Sequence, residues 1–143
     1  MAEDASAYLE ALRNGTLTPA EMLAAYQDKI RTCQLVVATA TVDMPGPPAD
    51  GPLHGLPVSL KDNLVCAGTH TGSGTLDRSS LAPEHGELVQ RLVAAGAVPF
   101  VKSNVPQLLM LPETVNTVFG RTVHPTHADR TCGGSSGGEA VLV

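Results

Sequence analysis

The 143 residues are enough for one domain with a modest core, and a composition of 43% hydrophobic and 16% charged residues excludes a disordered chain. The net charge of -5 without a basic run argues against a nucleic-acid partner, because phosphate binding needs clustered Lys and Arg. The acidic start lacks the layout of a signal peptide, and no apolar run approaches membrane-spanning length. A cytoplasmic protein is therefore expected, with membrane association as an alternative that nothing in the sequence indicates.

Two helices are predicted at the start of the chain. Residues 5–13 favour a short helix that ends near Asn14 and Gly15, a pair typical of helix ends. The run 18–21, Thr-Pro-Ala-Glu, is typical of a capping box with proline at the first helical position. Apolar residues follow it at helical spacing, which predicts an amphipathic helix to about residue 33.

The next segments alternate between predicted strands and loops. Residues 35–42 are apolar and β-branched, which predicts a strand. Residues 44–51 are rich in Pro and Gly and predict a loop, the best candidate for a linker. Residues 56–61 predict a short strand, and the Gly, Thr and Ser of residues 69–80 predict an irregular loop.

A crossover unit is predicted from residue 56 to residue 102. Residues 87–95 have the apolar spacing of a helix stopped by Gly96, and residues 97–102 predict a strand. Pro99 is compatible with that strand only at a sheet edge or near the strand's start. A strand, a helix and a strand in succession predict a parallel pair, in which Lys61 and Lys102 lie at the carboxyl ends where active groups are often found.

The run 133–138, Gly-Gly-Ser-Ser-Gly-Gly, is the most specific feature of the sequence. Paired glycines allow unusual backbone torsions and close contacts. The run is compatible with a flexible turn, with an anion-binding loop that lacks the lysine of a P-loop, or with a catalytic serine loop. Lys61, at the end of an apolar strand, is either a surface lysine that extends from the sheet edge or a partner of this loop.

Several segments in the same order resemble the amidase-signature family. The segments 51–63 and 133–139 resemble the two leading motifs of that family, and residues 95–98, 102–107 and 119–125 follow its order between them. The resemblance implies an α/β fold with a mixed twisted sheet covered by helices. Residues 1–143 would be its amino-terminal part, with the helices at about 5–33 and the first strands and both motifs in 51–143.

The resemblance also implies roles for individual residues. Members of the family hydrolyse amides with a Ser–cis-Ser–Lys arrangement, in which Lys61 matches the catalytic lysine. Ser135 matches the serine that follows a cis peptide bond and stands between the lysine and the nucleophile. Ser136 matches the neighbouring serine that supports the loop on the substrate side, and Leu109 matches a position whose carbonyl lies near the acyl group. A serine nucleophile needs a base, and a lysine amine serves as one only in its neutral form.

The nucleophilic serine has no counterpart in the sequence. The family places it after the cis-serine, in a segment resembling Gly-Gly-Ser-Ile-Arg, and this sequence ends at Val143 without one. We therefore expect a fragment that lacks the nucleophile and is inactive alone. The alternatives are a non-catalytic, amidase-like binding protein and the A subunit of an amidotransferase.

The expected substrate is a small or fatty linear amide. Residues 104–107 and Glu139 resemble the fatty-amide and acetamidase branch of the family rather than the amidotransferase subunit. The apolar run 108–111 suits an acyl pocket, although an ordinary core segment is the simpler interpretation. No cofactor is implied, and no metal site is expected, since Pro125 disfavours a helix that would align His124 and His127. The sequence predicts no oligomeric state.

Overall fold

The computed structural model describes residues 4–32, 37–44, 50–76 and 80–143. Helix α1 spans Ala5–Arg13 as predicted, and the Asp4 carboxylate accepts a hydrogen bond of 2.9 Å from the amide of Ala7 at its start. Asp4 therefore satisfies one of the free amides in the first turn of the helix.

Helix α2 spans Pro19–Thr32 and begins at the predicted capping box. The Thr18 hydroxyl accepts from the amide of Glu21 at 3.2 Å, and the Glu21 carboxylate accepts from the amide of Thr18 at 2.9 Å. This reciprocal pair confirms the predicted start of the helix.

Three strands form a mixed sheet in the order β1-β3-β2. Strand β1 spans Ala38–Thr41, β2 spans Pro57–Lys61 and β3 spans Val98–Ser103. Strands β2 and β3 are parallel, as the crossover predicts, and helix α3, Glu87–Ala94, connects them. Strand β1 pairs with β3 in the antiparallel direction, so the predicted α/β class and mixed sheet are confirmed.

Pro99 meets the second of the two conditions expected for a proline in this strand, since it lies near the strand's start. Strand β3 is the central strand, so Pro99 does not lie at a sheet edge. It is the second residue of the strand, and the register of β2 against β3 shifts between Val58 and Ser59, next to the position that pairs with Pro99. A strand's start and a β-bulge both tolerate a residue that has no amide hydrogen to donate.

Short elements complete the described chain. A 3₁₀ turn at Gln107–Leu109 is followed by an antiparallel ribbon of β4, Val115–Asn116, and β5, Gly120–Arg121. Helix α4 spans Gly137–Leu142. Residues 69–76 form the predicted irregular loop. Residues 33–36, 45–49 and 77–79 lie outside the described part of the chain. The end of the helix predicted to residue 33, the start of the strand predicted at 35–42, most of the candidate linker and part of the loop predicted at 69–80 fall on them.

The core lies between the sheet and α3. Its buried members are Val42, Leu60, Cys66 and Val89. On the α1 and α2 side, the Tyr26 ring lies between the rings of Tyr8 and Phe100, with centroids 6.1 and 5.8 Å away. In the described residues, no helix has both the length and the apolar character needed to cross a membrane.

Candidate active site

Lys61 and Ser135 meet although they are 74 residues apart in the sequence. Lys61 is the last residue of β2 and is partly buried. Its Nζ lies 2.7 Å from Ser135 Oγ and donates a hydrogen bond to it. The structure therefore brings together the two side chains that the sequence marked as catalytic candidates. A lysine amine and a serine hydroxyl at this separation can exchange a proton.

Glycines let the loop that carries Ser135 approach a neighbouring segment. The peptide bond between Gly134 and Ser135 is cis, which is the geometry that the resemblance implies. A Cβ added at Gly134 would lie 2.9 Å from the carbonyl oxygen of Leu111 and 3.1 Å from the amide nitrogen of Glu113. Only a residue without a side chain leaves room for this approach between two backbones.

The start of α4 lies against the end of β3. Gly138 is buried, and its amide donates to the carbonyl of Asn104 at 3.2 Å. A Cβ at Gly138 would overlap the backbone nitrogen and oxygen of Asn104. The amide of Asn104 in turn donates to the carbonyl of Val37 at 2.8 Å, so this point connects α4 with the residues before β1.

The two candidate substrate contacts are Ser136, in this loop, and Leu109, in the 3₁₀ turn. Ser136 is exposed at the position before α4, its carbonyl accepts from the amide of Ala140 at 3.0 Å, and its side chain caps no helix amide. Leu109 is partly buried and has a φ of 62°, and its amide donates to the carbonyl of Pro106 at 3.0 Å. The Ser136 side chain makes no hydrogen bond with another described residue, and the aliphatic side chain of Leu109 has no group that could make one.

The interpretation of residues 108–111 as a core segment was wrong. Leu108 is 57% exposed, Met110 78% and Leu111 45%. Leu108 and Leu109 have positive φ values in a tight turn, which breaks the period that would bury one face of a helix or strand. The apolar run is therefore a surface of the described chain.

Lys102, the second lysine at a strand end, does not lie beside Lys61. Lys102 is the register partner of Leu60, so it points to the face of the sheet opposite Lys61. It is fully buried, and its Nζ donates to the carbonyl of His70 at 3.0 Å and to the hydroxyl of Thr71 at 3.2 Å. Burial lowers the pKa of Lys102, and the negative charge of Asp62 opposes that effect.

Asp62 connects three segments behind the site. The carboxylate is buried and accepts from the Thr39 hydroxyl at 2.7 Å and from the amide of Ser73 at 2.8 Å. Its own amide donates to the carbonyl of Ser103 at 3.1 Å. These bonds fix the residue that follows Lys61, and so limit how far the end of β2 can move.

Sequence reasoning assigned no role to two residues that contact the loop and α4. Ser59 donates to the Glu139 carboxylate at 2.6 Å, and Thr114 contacts the loop through its hydroxyl. The signal for Ser59 was its position two residues before Lys61, since alternate residues of a strand share a face. No local signal marks Thr114, because it lies in an irregular segment that only the fold brings to the loop.

Metal ligands are not grouped in the described residues. No set of three or more His, Cys, Asp or Glu there could hold a metal ion. The rings of His124 and His127 have centroids 5.2 Å apart, and the segment around Pro125 is not helical.

Comparison with known proteins shows the family of the chain. A family model described as Amidase matches residues 26–143. The acetamidase of Emericella nidulans is 48% identical over 94 residues, which are 65% of this chain and 17% of the relative. The putative amidase AmiB2 of Mycobacterium tuberculosis is 36% identical over 153 residues, covering 97% of this chain and 33% of the relative.

A solved structure described as fatty acid amide hydrolase has the same fold over nearly the whole chain. It superposes with a TM-score of 0.86 at 24% identity, over 98% of this chain and 28% of that one. This chain thus spans a third or less of the length of these proteins. It resembles the amino-terminal portion of the longer relatives, and because the family model covers most of its residues, the chain belongs to the amidase family.

Proposed function

We propose that this chain supplies the lysine and the bridging serine of an amide hydrolase that works by a Ser–cis-Ser–Lys mechanism. The observation that carries the proposal is the 2.7 Å hydrogen bond between Lys61 and Ser135. We assign the nucleophile to a serine outside these 143 residues, because no serine of the described residues other than Ser135 is hydrogen-bonded to Lys61. The chain alone is then a partial amidase domain without turnover.

The proton path uses this contact in the reverse direction, because a neutral lysine amine accepts from a serine hydroxyl instead of donating to it. Neutral Lys61 takes a proton from the Ser135 hydroxyl, and Ser135 takes one from the nucleophilic serine, whose oxygen forms a bond to the amide carbonyl carbon. Expulsion of the amine breaks the C–N bond, and the proton returns from Lys61 through Ser135 to the amine nitrogen. Water then attacks the acyl ester by the same route, releasing the acid and restoring the serine.

The substrate is proposed to be a small or fatty linear amide. The carbonyl of Leu109 would lie on the acyl side, where the exposed run 108–111 offers apolar surface, and Ser136 would contact the substrate from the loop. Two relatives are named for acetamide and fatty acid amides. With a net charge of -5, the proposed partner is this small molecule and not a nucleic acid.

The test uses an acetamidase hybrid, defined as the Emericella nidulans acetamidase in which this whole chain replaces the amino-terminal portion that includes the 94 matched residues. We expect the hybrid to release ammonia from acetamide. Lys61→Ala and Ser135→Ala should each lower its kcat by at least about 1,000-fold, because residues that act as one catalytic unit fail together. The 143-residue chain alone should show no turnover.

The control variant is Lys29→Ala, which removes a lysine from α2, an element that carries no residue assigned to the reaction. It should retain the activity of the hybrid. A folded hybrid whose kcat survives Lys61→Ala would refute the mechanism. A folded hybrid that binds acetamide without turnover, while the parent acetamidase is active, would favour the non-catalytic alternative.

A further inference from the structure

Thr114 closes the loop that carries Ser135. Its side chain is fully buried, and its single hydroxyl makes two hydrogen bonds to the loop. It donates to the carbonyl of Gly133 at 2.9 Å and accepts from the amide of Gly137 at 3.0 Å. These two glycines lie two residues before and two residues after Ser135, so one side chain joins both ends of the loop.

The hydroxyl both donates and accepts in these contacts. A threonine hydroxyl has one hydrogen to donate and lone pairs that accept, and here the one hydrogen goes to the start of the loop and an acceptor site to its end. Gly137 is buried, and a buried amide that loses its partner is unfavourable, so the end of the loop stays paired with Thr114.

The backbone of Thr114 is itself held in place by the ribbon of β4 and β5. Its backbone carbonyl accepts from the amide of Thr122 at 2.9 Å, across the short ribbon formed by β4 and β5. A Cβ at Gly137 would overlap the Thr114 hydroxyl and the adjacent Cβ, so the glycine allows the contact. The ribbon therefore presents the hydroxyl to the loop at a fixed position.

We propose that Thr114 is a positioning residue for the amidase reaction, which holds the 133–137 loop closed so that Ser135 Oγ stays within hydrogen-bond distance of Lys61 Nζ. The inference rests on the proposed function, because it gives Thr114 its role through Ser135. Thr114 touches neither the substrate nor the nucleophile in this account; it acts through the geometry of the loop.

The role predicts a particular kinetic change. A looser loop displaces Ser135 from the proton path, which slows the chemical step. Misplacement of a reacting group by about 1 Å lowers rates on the order of 100-fold. Thr114→Val, which keeps the shape and removes the hydroxyl, should therefore lower the kcat of the acetamidase hybrid by about 10- to 100-fold. Because Ser136 lies in the same loop, the KM for acetamide should rise by no more than the about 3- to 10-fold expected for loss of one hydrogen bond. Thr114→Ser keeps the hydroxyl and should stay within about 3-fold of the parent hybrid.

A second measurement reports on the loop independently of turnover. Hydrogen exchange followed by mass spectrometry on a peptide that contains residues 133–137 should become faster in Thr114→Val and not in Thr114→Ser. The matched control is Thr69→Val, which removes a buried hydroxyl that donates to the carbonyl of Cys66 at 2.7 Å, away from this loop. It should change neither the kcat nor the exchange of the loop.

The outcomes separate the two proposals. Loss of kcat and faster loop exchange in Thr114→Val, both restored in Thr114→Ser, support the positioning role. A normal kcat in Thr114→Val, in a hybrid that Lys61→Ala inactivates, overturns the positioning role and leaves the proposed function standing. If Lys61→Ala is fully active, the proposed function fails, and the role of Thr114 in the reaction fails with it whatever the exchange shows.

Discussion

The Ser59 hydroxyl donates a hydrogen bond of 2.6 Å to the Glu139 carboxylate, and this contact joins β2 to α4 beside the candidate site. Ser59 lies two residues before Lys61, and Glu139 lies four residues after Ser135. The other carboxylate oxygen of Glu139 is buried without a hydrogen-bond partner among the described residues. The strand that carries Lys61 and the helix that follows Ser135 are thus joined by a contact that leaves one acceptor unsatisfied.

Ser59→Ala should destabilise the acetamidase hybrid by about 1–3 kcal/mol, because it removes a donor to an already under-satisfied carboxylate. The measurement is the melting temperature by differential scanning calorimetry. Glu139→Gln is the comparison, since its amide oxygen still accepts from Ser59 and its amide group carries no charge. It should be less destabilising than Ser59→Ala, and the reverse order would mean that the charge matters and the hydrogen bond does not.

Gly138→Ala should lower the free energy of unfolding of the hybrid by about 1–3 kcal/mol, which is the usual effect of adding a methyl group to a closely packed site. The added Cβ meets the backbone of Asn104, which belongs to the segment that follows β3. Gly86→Ala is the matched control. It has an ordinary φ of -67°, and its added Cβ would first meet the Val65 side chain at 3.2 Å.

Equal melting temperatures for the Gly138→Ala and Gly86→Ala hybrids would contradict the close packing of α4 on Asn104. A lower melting temperature for Gly138→Ala alone would place the requirement for glycine at the contact itself, since both variants make the same chemical change.

Lys102 should make stability depend on pH in a defined direction. Its pKa is lowered from 10.5 in the folded chain, mainly by burial, so the unfolded chain binds more protons in the window between the lowered value and 10.5. Stability contributed by this group therefore rises as pH increases through that window. The uncharged Lys102→Met lacks the titration, so the melting temperature of the parent hybrid should rise relative to that of the variant as pH approaches 10.5.

The comparison between parent and variant matters because Cys66 acts in the opposite direction. Burial raises the pKa of the Cys66 thiol above 9.0, so the folded chain retains a proton that the unfolded chain loses, and this contribution weakens as pH rises above 9.0. The charge of Lys102 opposes the rise in the Cys66 pKa, so Lys102→Met raises that pKa further and the variant loses more stability at high pH. This effect has the same sign as the expected difference between parent and variant. A difference between the two melting temperatures that is independent of pH would contradict the lowered pKa of Lys102.

Ser136→Ala should change the free energy of unfolding of the hybrid by less than about 0.5 kcal/mol, because the side chain is exposed and caps no helix amide. If Ser136 contacts the substrate, the KM for acetamide should rise by about 3- to 10-fold, the loss expected for one hydrogen bond. An unchanged KM would remove Ser136 from the substrate side of the site.

Local features were predictable from sequence where neighbouring residues supply the energy. The capping box of Thr18 and Glu21 begins α2 as predicted, because both partners lie within one helical turn. The strand–helix–strand order also predicted the parallel pairing of β2 and β3, since a chain that crosses a sheet through one helix returns in the same direction.

Lys61 and the serine loop could be singled out before the fold was known only because both lie in specific motifs. Composition and spacing left the loop as a turn, an anion site or a catalytic loop. The 2.7 Å contact is a property of the fold, because 74 residues separate the two side chains and nothing local determines the distance between them.

Other features depended on tertiary structure alone. Residues 108–111 are as apolar as a core segment, yet positive φ values turn them to the surface. Pro99 lies in the central strand because β1 adds to the far side of β3, a pairing that no local pattern encodes. The sequence by itself determined the helices, through contacts a few residues apart, the crossover, through the order of its elements, and the candidate residues, through the motifs that hold them. The fold alone decided that Thr114 meets Gly133 and Gly137, because residues distant in sequence become neighbours only when the whole sheet has formed.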